Sequence, residues 1–329
     1  MTLKIALIGA GGIAAVHCAG YQNLPQVQLC AVADILIERA VAKAEPFGAR
    51  PYASLDELLA AESVDAVDLC VPSYLHAGMT ARCLDASLHV LCEKPLAFDR
   101  AGADAVLAAW RRSGKMLMIA QVLRFWPEYQ YFKGLVDSGE YGRLLQASFT
   151  RTSSAPGWGG WYADPARSGM APFELHIHDI DFIHFLLGRP DRVESYGWRD
   201  DALQGSYLRT RLRYDGIVVD AEAGWYRAPV PFTADYRAVF ERAVLDYRGG
   251  ELWLAEAGAA ERRKIAVESG PDAGALINLP GTFPYYNEIA YFVSCLESGR
   301  PPEVITPLQS REAIETLFLA VEAAEGRTF

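Results

Sequence analysis

A lysine that follows an apolar stretch is the first residue whose position suggests chemistry. Residues Leu88–Cys92 are mostly apolar, and Glu93, Lys94 and Pro95 follow at once. A continuous apolar run is typical of a parallel strand buried on both faces, and doubly wound sheets bind ligands beyond the carboxyl ends of such strands. The pattern therefore predicts that Lys94 lies at the functional edge of a sheet. A surface lysine in an ion pair would give the same three residues.

A histidine flanked by carboxylates forms a second group. Glu174 precedes His178 by four residues and Asp181 follows it by three, spacings that share one face of an α-helix. An imidazole titrates near neutral pH and neighbouring carboxylates can orient it, so the group predicts a general acid or base. A purely structural role stays open. His176 lies about 200° around a helix from His178, so we expect no metal site here.

A glycine-rich turn near the amino terminus predicts a dinucleotide site. A short strand, Lys4–Ile8, leads into Gly9-Ala10-Gly11-Gly12-Ile13-Ala14, and a helical stretch follows. In this GxGxxA pattern the first glycine allows a tight turn, the second lets a diphosphate approach the backbone, and the small last residue lets helix and strand pack closely. The helix N-terminus then favours the negative phosphates. We assign to cofactor binding Gly9, Gly11, Gly12, Ile13 and Ala14.

An acidic residue at the end of the next strand favours NAD. The apolar segment Val27–Ala33 ends in Asp34, 20 residues after Ala14. A carboxylate there accepts hydrogen bonds from the adenosine ribose and disfavours a 2′-phosphate. NAD is therefore the expected cofactor, and Arg39, close by in sequence, leaves NADP open. Asp34 could instead serve only as a helix N-cap.

Apolar strands and helices then alternate as far as Gln121. Strands centred near residues 4, 28, 67, 90 and 118 are separated by helical stretches, which indicates a parallel sheet with right-handed crossovers. We therefore predict an α/β fold in which residues 1–121 form a Rossmann domain, a doubly wound parallel sheet that binds the dinucleotide.

The pattern changes after residue 121. From Leu144 onward, segments alternate apolar and polar residues with period two, and the turns between them carry Asp, Gly and Pro. This predicts a large, open, mostly antiparallel sheet with one buried face. Two amphipathic helices, Phe283–Leu296 and Ser310–Ala324, follow. Residues 122–329 are thus predicted to form an α+β domain for substrate binding and self-association.

Composition argues against several classes of protein. Lys and Arg number 31 and Asp and Glu 41, a formal net charge of −10, so the overall charge favours neither nucleic acid nor an anionic membrane as a partner. No apolar run is long enough to span a bilayer. The six cysteines show no CxxC spacing, which suits a reducing cytoplasm better than a disulfide framework. We therefore expect a cytoplasmic protein.

Several separate motifs agree over essentially the whole chain. They are the glycine turn, Pro72-Ser73-Tyr74-Leu75-His76, Glu93-Lys94-Pro95, Arg124-Phe125 and His178-Asp179-Ile180-Asp181. With these the chain resembles the Gfo/Idh/MocA family, the glucose–fructose oxidoreductase and inositol dehydrogenase type. The resemblance implies a Rossmann domain followed by an α/β domain on an open sheet. It also implies a nicotinamide cofactor and oxidation or reduction of a carbinol carbon of a sugar, sugar acid or cyclic polyol.

The resemblance further implies roles for individual residues. Lys94 matches the family's catalytic lysine, which would take the hydroxyl proton, and His178 matches its acid/base histidine. Glu174 stands where relatives usually carry Asp, so its carboxylate is displaced by one methylene, which leaves open a different substrate or an altered site. Further cofactor residues implied in this way are Pro72, Ser73, His76, Glu93, Lys94 and Gln121.

Aromatic and polar side chains are candidates for contact with the sugar. The loop Ser153–Gly169 is rich in Gly, Pro and Trp, and flat apolar faces suit the C–H side of a sugar ring, although loop packing would explain them as well. The aromatic candidates are Trp158, Trp161 and Tyr162. Candidates for hydroxyl contacts are Lys94, Arg124, His178, Tyr285 and Asn287.

Two alternative functions stay open, and the sequence also predicts self-association. The same scaffold could serve as an NAD(P)-binding sensor without turnover, or could process glycosides by transient oxidation with no net change in NADH. An open sheet with apolar residues on its outer face favours a homodimer or homotetramer through the second domain.

Overall fold

The computed structural model describes residues 2–157, 160–201, 205–272 and 281–325. Within them the chain folds into two compact units. Unit 1 comprises residues 1–125 and 270–311, and unit 2 comprises residues 126–269 and 312–329.

Unit 1 is built on a six-stranded parallel sheet, which confirms the predicted doubly wound fold. The spatial order is β3-β2-β1-β4-β5-β6, so the order reverses between β1 and β4. Such a reversal opens a crevice at the carboxyl ends of the strands, where ligands of these sheets bind. The strands are β1 (Leu3–Ile8), β2 (Val27–Ala33), β3 (Arg50–Tyr52), β4 (Ala66–Leu69), β5 (His89–Glu93) and β6 (Leu117–Ala120).

Helices connect these strands, and several have the start and stop residues that the sequence indicates. The Ser54 hydroxyl caps the third helix by accepting from the Glu57 amide, and the Glu57 carboxylate reaches back to the amide of Ala53, one residue before the cap. The fifth helix begins at the Asp99 cap and ends at Gly114, which has a φ of 64°. The helices are α1 (Gly12–Tyr21), α2 (Ile37–Ala44), α3 (Leu55–Ala61), α4 (His76–Asp85) and α5 (Arg100–Ser113).

Strand β3 is absent from the sequence prediction. It has three residues, Arg50, Pro51 and Tyr52, and none of them is buried. It lies at the edge of the sheet, where a proline is tolerated because one side of the strand needs no hydrogen bonds. A strand this short and this polar gives no apolar run to detect.

Unit 2 contains an eight-stranded, mostly antiparallel sheet, as predicted. Its order is β14-β13-β12-β11-β7-β10-β9-β8, and β7 and β10 pair in parallel. The last two strands in the chain, of six and three residues, are not in the prediction. The strands are β7 (Leu144–Ser154), β8 (Arg192–Asp200), β9 (Gly205–Tyr214), β10 (Ile217–Tyr226), β11 (Thr233–Phe240), β12 (Ala243–Arg248), β13 (Glu251–Glu256) and β14 (Arg263–Ile265).

Aromatic side chains form the core of unit 2 between one face of the sheet and two helices. The rings of Tyr129 and Phe182 meet edge to face at 4.8 Å, and Phe132 stacks on Tyr236 at 5.2 Å. Offset and edge-to-face geometries are the favourable ones for such pairs. The remaining helices of the chain are α6 (Pro127–Ser138), α7 (Pro165–Ser168), α8 (Ile177–Leu187), α9 (Phe283–Ser298) and α10 (Pro307–Glu325).

Helix α9 packs within unit 1, although the prediction assigns every residue after 121 to the second domain. Ile289, Phe292 and Val293 are buried in the same core as β1 and α1. Gly20 of α1 allows this approach, since a Cβ there would lie 2.7 Å from Ile289 Cδ1. The apolar stripe of α9 shows that the helix must be buried, but it carries no information on which core receives it. The predicted division of labour between the two domains stays a prediction.

No helix within the described ranges combines the length and the apolar character that crossing a membrane requires.

Candidate active site

The glycine turn after β1 has the geometry of a diphosphate-binding loop. Gly9 has a φ of 90°, and a Cβ at this position would overlap the carbonyl oxygen of Cys70. A Cβ on Gly11, by contrast, would meet nothing within 4 Å. Protein packing therefore explains the glycine at 9 but not the one at 11, where close approach of a ligand to the backbone is the physical reason that remains.

Helix α1 begins directly at this turn with its positive end available. Gly11 is its N-cap and offers no side chain to the first amides, and the first turn holds no acidic residue. Free amides and the helix dipole together favour an anion. The predicted residues Gly12, Ile13 and Ala14 lie in this first turn, and Ala14 is fully buried, as close helix–strand packing requires.

Asp34 lies at the carboxyl end of β2 and is tied to the glycine turn. Its Oδ2 accepts from the Ala10 amide and its Oδ1 from the Leu36 amide, both at 2.8 Å. These bonds fix the carboxylate beside the turn while each oxygen keeps a second lone pair. The N-cap alternative is not seen, because α2 begins at Ile37 with Leu36 as its cap. A bond from Asp34 to a ribose stays a prediction.

An exposed apolar residue next to Asp34 escaped the sequence prediction. Ile35 is 90% exposed, and Leu36, Ile37 and Val41 are also exposed. Isolated exposed apolar residues need no explanation, but four of them among the seven residues after Asp34 are unusual. The run Ile35-Leu36-Ile37 directly after Asp34 was the available signal.

Lys94 directly follows β5 and is partly exposed, as the sequence predicts. The carboxylate of Glu93 accepts a hydrogen bond from the Lys94 amide through Oε2 at 3.1 Å. Strand β5 pairs with β4 and β6, so Lys94 lies at the same edge of the sheet as the glycine turn. This is the edge at which doubly wound sheets bind ligands.

His76 connects the loop after β4 with the loop that follows Lys94. Its Nδ1 is 2.8 Å from the Pro95 carbonyl oxygen, and its Nε2 is 2.9 Å from that of Val71. The ring is buried and holds the loop containing Pro72 and Ser73 against the loop after Lys94. A contact from His76 to the cofactor stays a prediction.

Gln121 offers a hydrogen-bond acceptor that fits a nicotinamide. It follows β6, its side chain is buried, and within the described part of the chain its Oε1 has no hydrogen-bond partner. A buried acceptor without a donor costs about 1–3 kcal/mol. The amide N–H₂ of a nicotinamide would satisfy it, so the residues present fit the predicted cofactor.

The predicted helix start in unit 2 is not a regular α-helix. Residues Pro172–His176 form a π-helical turn, and α8 follows from Ile177. Because the argument that placed Glu174 and His178 on one face assumes 3.6 residues per turn, it does not hold across this segment. Met170, just before the turn, has a φ of 59° and is buried. Left-handed backbone at a non-glycine residue and π-helical turns both concentrate at functional sites.

The histidines of this segment differ in exposure. His176 is fully buried and its Nε2 lies 2.9 Å from the Thr210 hydroxyl. Burial, together with the Arg151 cation, lowers the pKa of His176 to about 3, so the ring is neutral at physiological pH. His184 is buried against Thr316 at 2.7 Å. His178 is partly exposed, and its role as an acid or base stays a prediction.

Asp179 anchors the segment to the sheet. Arg151 of β7 donates to it twice, at 2.9 and 2.8 Å, and the same guanidinium donates to the Tyr129 hydroxyl at 3.1 Å. Burial raises the pKa of Asp179 despite the cation. In the motif His178-Asp179, Asp179 is therefore a buried carboxylate that ties α8 to the sheet.

Two of the predicted aromatic residues form a platform together with a third that sequence reasoning missed. Trp161 and Tyr162 stack at 3.8 Å, and Tyr162 meets Trp225 edge-on at 5.9 Å. Trp225 packs with Met170 beside the π-helical turn. Its place near the end of β10 was the available signal. Trp158 lies outside the described residues.

The three remaining substrate candidates have packing partners. Arg124 is buried and donates to the Val304 carbonyl at 2.6 Å and to Gln309 at 2.9 Å. Asn287 donates to the Phe125 carbonyl at 3.4 Å, and Tyr285 is buried. Contacts from these three residues to a substrate stay predictions.

Comparison with known proteins matches both units. Residues 3–121 match the family model described as "Oxidoreductase family, NAD-binding Rossmann fold", and residues 129–242 match "GFO/IDH/MocA C-terminal domain". The structure resembles that of levoglucosan dehydrogenase in complex with NADH and levoglucosan, with a TM-score of 0.84 and 20% identity over 99% of this chain and 98% of the other. At that identity the likeness shows the fold.

Curated relatives match over part of their length. 4-Carboxy-2-hydroxymuconate-6-semialdehyde dehydrogenase of Sphingobium sp. is 35% identical over 139 residues, 42% of this chain and 44% of the relative. Inositol 2-dehydrogenase of Salmonella paratyphi B is 31% identical over 226 residues, 67% of this chain and 63% of the relative. The matches thus span about half to two thirds of each relative's length.

Proposed function

The chain belongs to the Gfo/Idh/MocA family of oxidoreductases, and from this premise we propose that it transfers hydride between NAD(P) and a carbinol carbon. The substrate would be a sugar, sugar acid or cyclic polyol. The observation that carries the proposal is the position of Lys94, at the sheet edge that also holds the glycine turn and Gln121. An amine at this edge can serve as the base that alcohol oxidation requires.

The chemistry divides between the cofactor and the protein. The bound nicotinamide supplies the hydride acceptor. Lys94 removes the hydroxyl proton as the carbon–hydrogen bond breaks, which a positioned base accelerates by about 10²–10⁴-fold. His178 assists by sharing that proton or by holding the hydroxyl. Glu174 is the other polar side chain of unit 2 in this proposal, and it orients the substrate.

The platform of Trp161, Tyr162 and Trp225 supports a sugar-like substrate. Stacked rings present flat apolar surfaces to the C–H face of a pyranose or cyclitol, and a few polar groups then fix its orientation. The relatives named for inositol and levoglucosan act on such rings. Two of the three platform residues come from the same Gly/Pro/Trp-rich loop that the sequence singles out.

The cofactor is NAD in this proposal. Asp34 places a carboxylate at the end of β2, where a 2′-phosphate would meet a like charge. Arg39 is the residue that would relax this preference toward NADP.

The remaining assignments concern assembly and location. We propose a homodimer or homotetramer that forms through the open sheet of unit 2. A cytoplasmic location is supported by the six cysteines, which are all free thiols and would persist in a reducing compartment.

Absorbance at 340 nm tests the function. Purified protein would be mixed with NAD or NADP and a panel that includes myo-inositol, levoglucosan, D-glucose and D-gluconate. We expect NADH formation with one ring class, and Lys94→Ala should lower kcat by about 10³-fold while binding NAD as wild type does. Undiminished turnover in Lys94→Ala would refute the role of the lysine. Tight NAD binding without turnover on any sugar would favour a sensor, and consumed glycoside without NADH would favour a redox-neutral enzyme.

A further inference from the structure

A buried histidine of α1 lies between two carboxylates in unit 1. His17 is fully buried, its Nδ1 is 2.7 Å from Asp68 Oδ2, and its Nε2 is 3.1 Å from Glu93 Oε1. Ionised carboxylate oxygens only accept hydrogen bonds, so both contacts are hydrogen bonds only when both ring nitrogens carry a proton. The geometry is therefore that of an imidazolium shared by two carboxylates.

The groups that surround His17 support this charge state. The Tyr21 hydroxyl donates to Asp68 at 2.9 Å, and the Cys70 thiol lies 3.6 Å from the other oxygen of Asp68. Burial lowers the pKa of His17, but the Asp68 carboxylate and Cys70 outweigh burial and hold it well above its ordinary value. The Tyr285 ring faces His17 from α9 at 6.4 Å and brings no charge.

Glu93 connects this pair to the proposed base. One of its oxygens faces His17 and the other accepts from the Lys94 amide at 3.1 Å. Burial raises the pKa of Glu93, yet the bond and charge of His17 lower it below its usual value, so the carboxylate stays ionised. Both oxygens of Glu93 are thus engaged, which leaves its side chain one orientation.

We propose that His17, backed by Asp68, is a positioning residue for Lys94. The imidazolium keeps Glu93 ionised and fixed, and Glu93 in turn fixes the backbone from which the Lys94 side chain extends. The inference rests on the proposed function for the role of Lys94, but the charged network exists without it. Asp68 is an acid in an otherwise apolar strand, Val-Asp-Leu-Cys, and a fully buried acid in a parallel strand needs such a partner.

The charge on His17 can be tested without turnover. The full chain would be labelled with ¹⁵N-histidine, and the His17 signals identified by their loss in His17→Gln. We expect both ring nitrogens to remain protonated from pH 6 to pH 8, whatever the enzyme does with sugars. A neutral His17 at pH 7 would overturn the proposal. Zinc bound stoichiometrically to the purified wild type and absent from His17→Gln would also overturn the proposal. A metal held by His17, Asp68 and Cys70 would take the place of the imidazolium proton.

Steady-state kinetics then test whether His17 positions Lys94. The assay uses the sugar of the panel that the wild type turns over. With it, His17→Gln and Asp68→Asn should each lower kcat by about 10²-fold, because a small misplacement of a reacting group has an effect of that size. The Kd for NAD should stay at the wild-type value, and the primary deuterium isotope effect on kcat should rise because the chemical step becomes slower. A purely structural defect reduces the amount of active enzyme and leaves the isotope effect unchanged. His184→Gln, which removes a buried histidine of unit 2, should keep wild-type kcat.

The outcomes separate the two proposals. If the wild type turns over the sugar and His17→Gln matches it in kcat and isotope effect, the positioning role is refuted and the proposed function stands. If the wild type reduces no cofactor with any sugar, the proposed function fails, and the charge on His17 still decides whether the network is as proposed. If His17→Gln does not fold, Asp68→Asn carries the kinetic test.

Discussion

Gly9 and Gly11 are two residues apart in the same turn, yet only Gly9 has protein neighbours that require it to be glycine. Protein backbone surrounds the position of a Cβ on Gly9, whereas the space around Gly11 is open. The GxGxxA pattern predicts both glycines, but only the structure shows that packing requires glycine at 9 and leaves open space at 11. Lys94 is similar, since its place after a strand is predictable and its link to His17 through Glu93 is not.

Alanine at these two positions should therefore have opposite effects. Gly11→Ala should melt at the wild-type temperature and lose NAD affinity by at least about tenfold, because the methyl group fills the space that a diphosphate needs. Gly9→Ala should lower the melting temperature, because a positive φ and an overlap with Cys70 both disfavour a side chain. Thermal melts with and without NAD measure both. Equal NAD affinity in Gly11→Ala and wild type would argue against a diphosphate at this turn.

Among the elements, the π-helical turn Pro172–His176 carries the predicted site residue Glu174 and is the part that periodicity could not predict. Sequence patterns assume a regular helix, and here the turn is wide and follows left-handed backbone at Met170. Two contacts to the sheet hold this turn and the start of α8, from His176 to Thr210 and from Asp179 to Arg151. Such long-range pairs have no signal in a single sequence, whereas the strands β7 to β12 follow from period-two alternation.

This element predicts a pH dependence of stability. His176 titrates near 6.5 in the unfolded chain and near 3 when buried, so between these values the unfolded state binds the extra proton. The free energy of unfolding should therefore fall as the pH drops below 6.5, by up to about 1.4 kcal/mol per pH unit. Melting temperatures from pH 7 to pH 5 should decline less steeply in His176→Gln than in the wild type.

Thr210→Val is the matched control for that series. It removes the hydrogen-bond partner of His176 but keeps the imidazole, so it should lower the melting temperature at every pH and preserve the slope. An unchanged slope in His176→Gln would show that His176 is not the titrating group.

For the whole molecule, the two kinds of sheet were predictable and the path of the chain between the units was not. Apolar runs predicted five of the six strands of unit 1, since buried parallel strands leave a strong pattern. Helix α9 returns to unit 1 after the chain has formed the sheet of unit 2. Any amphipathic helix has an apolar stripe, so this return needed three-dimensional information.

The outer face of the second sheet predicts self-association. Tyr196 and Trp198 on edge strand β8 are 52% and 37% exposed, and Trp198 lies 6.5 Å from the Tyr226 ring. Light scattering should give a mass of two or four times the 36.1 kDa of one chain. Trp198→Glu should shift it toward one chain, and Arg111→Glu on exposed helix α5 should not. A wild-type mass of one chain would refute the assembly.

Hydride transfer itself is the central claim, and the fate of the transferred hydrogen tests it most directly. The active sugar of the panel would be deuterated at its carbinol carbons and incubated with NAD and the wild-type protein, and the cofactor then examined by mass spectrometry. We predict that the NADH formed carries the deuterium and that Lys94→Ala forms it far more slowly. Product sugar accompanied by NADH without deuterium, or by no reduced cofactor, would contradict the account.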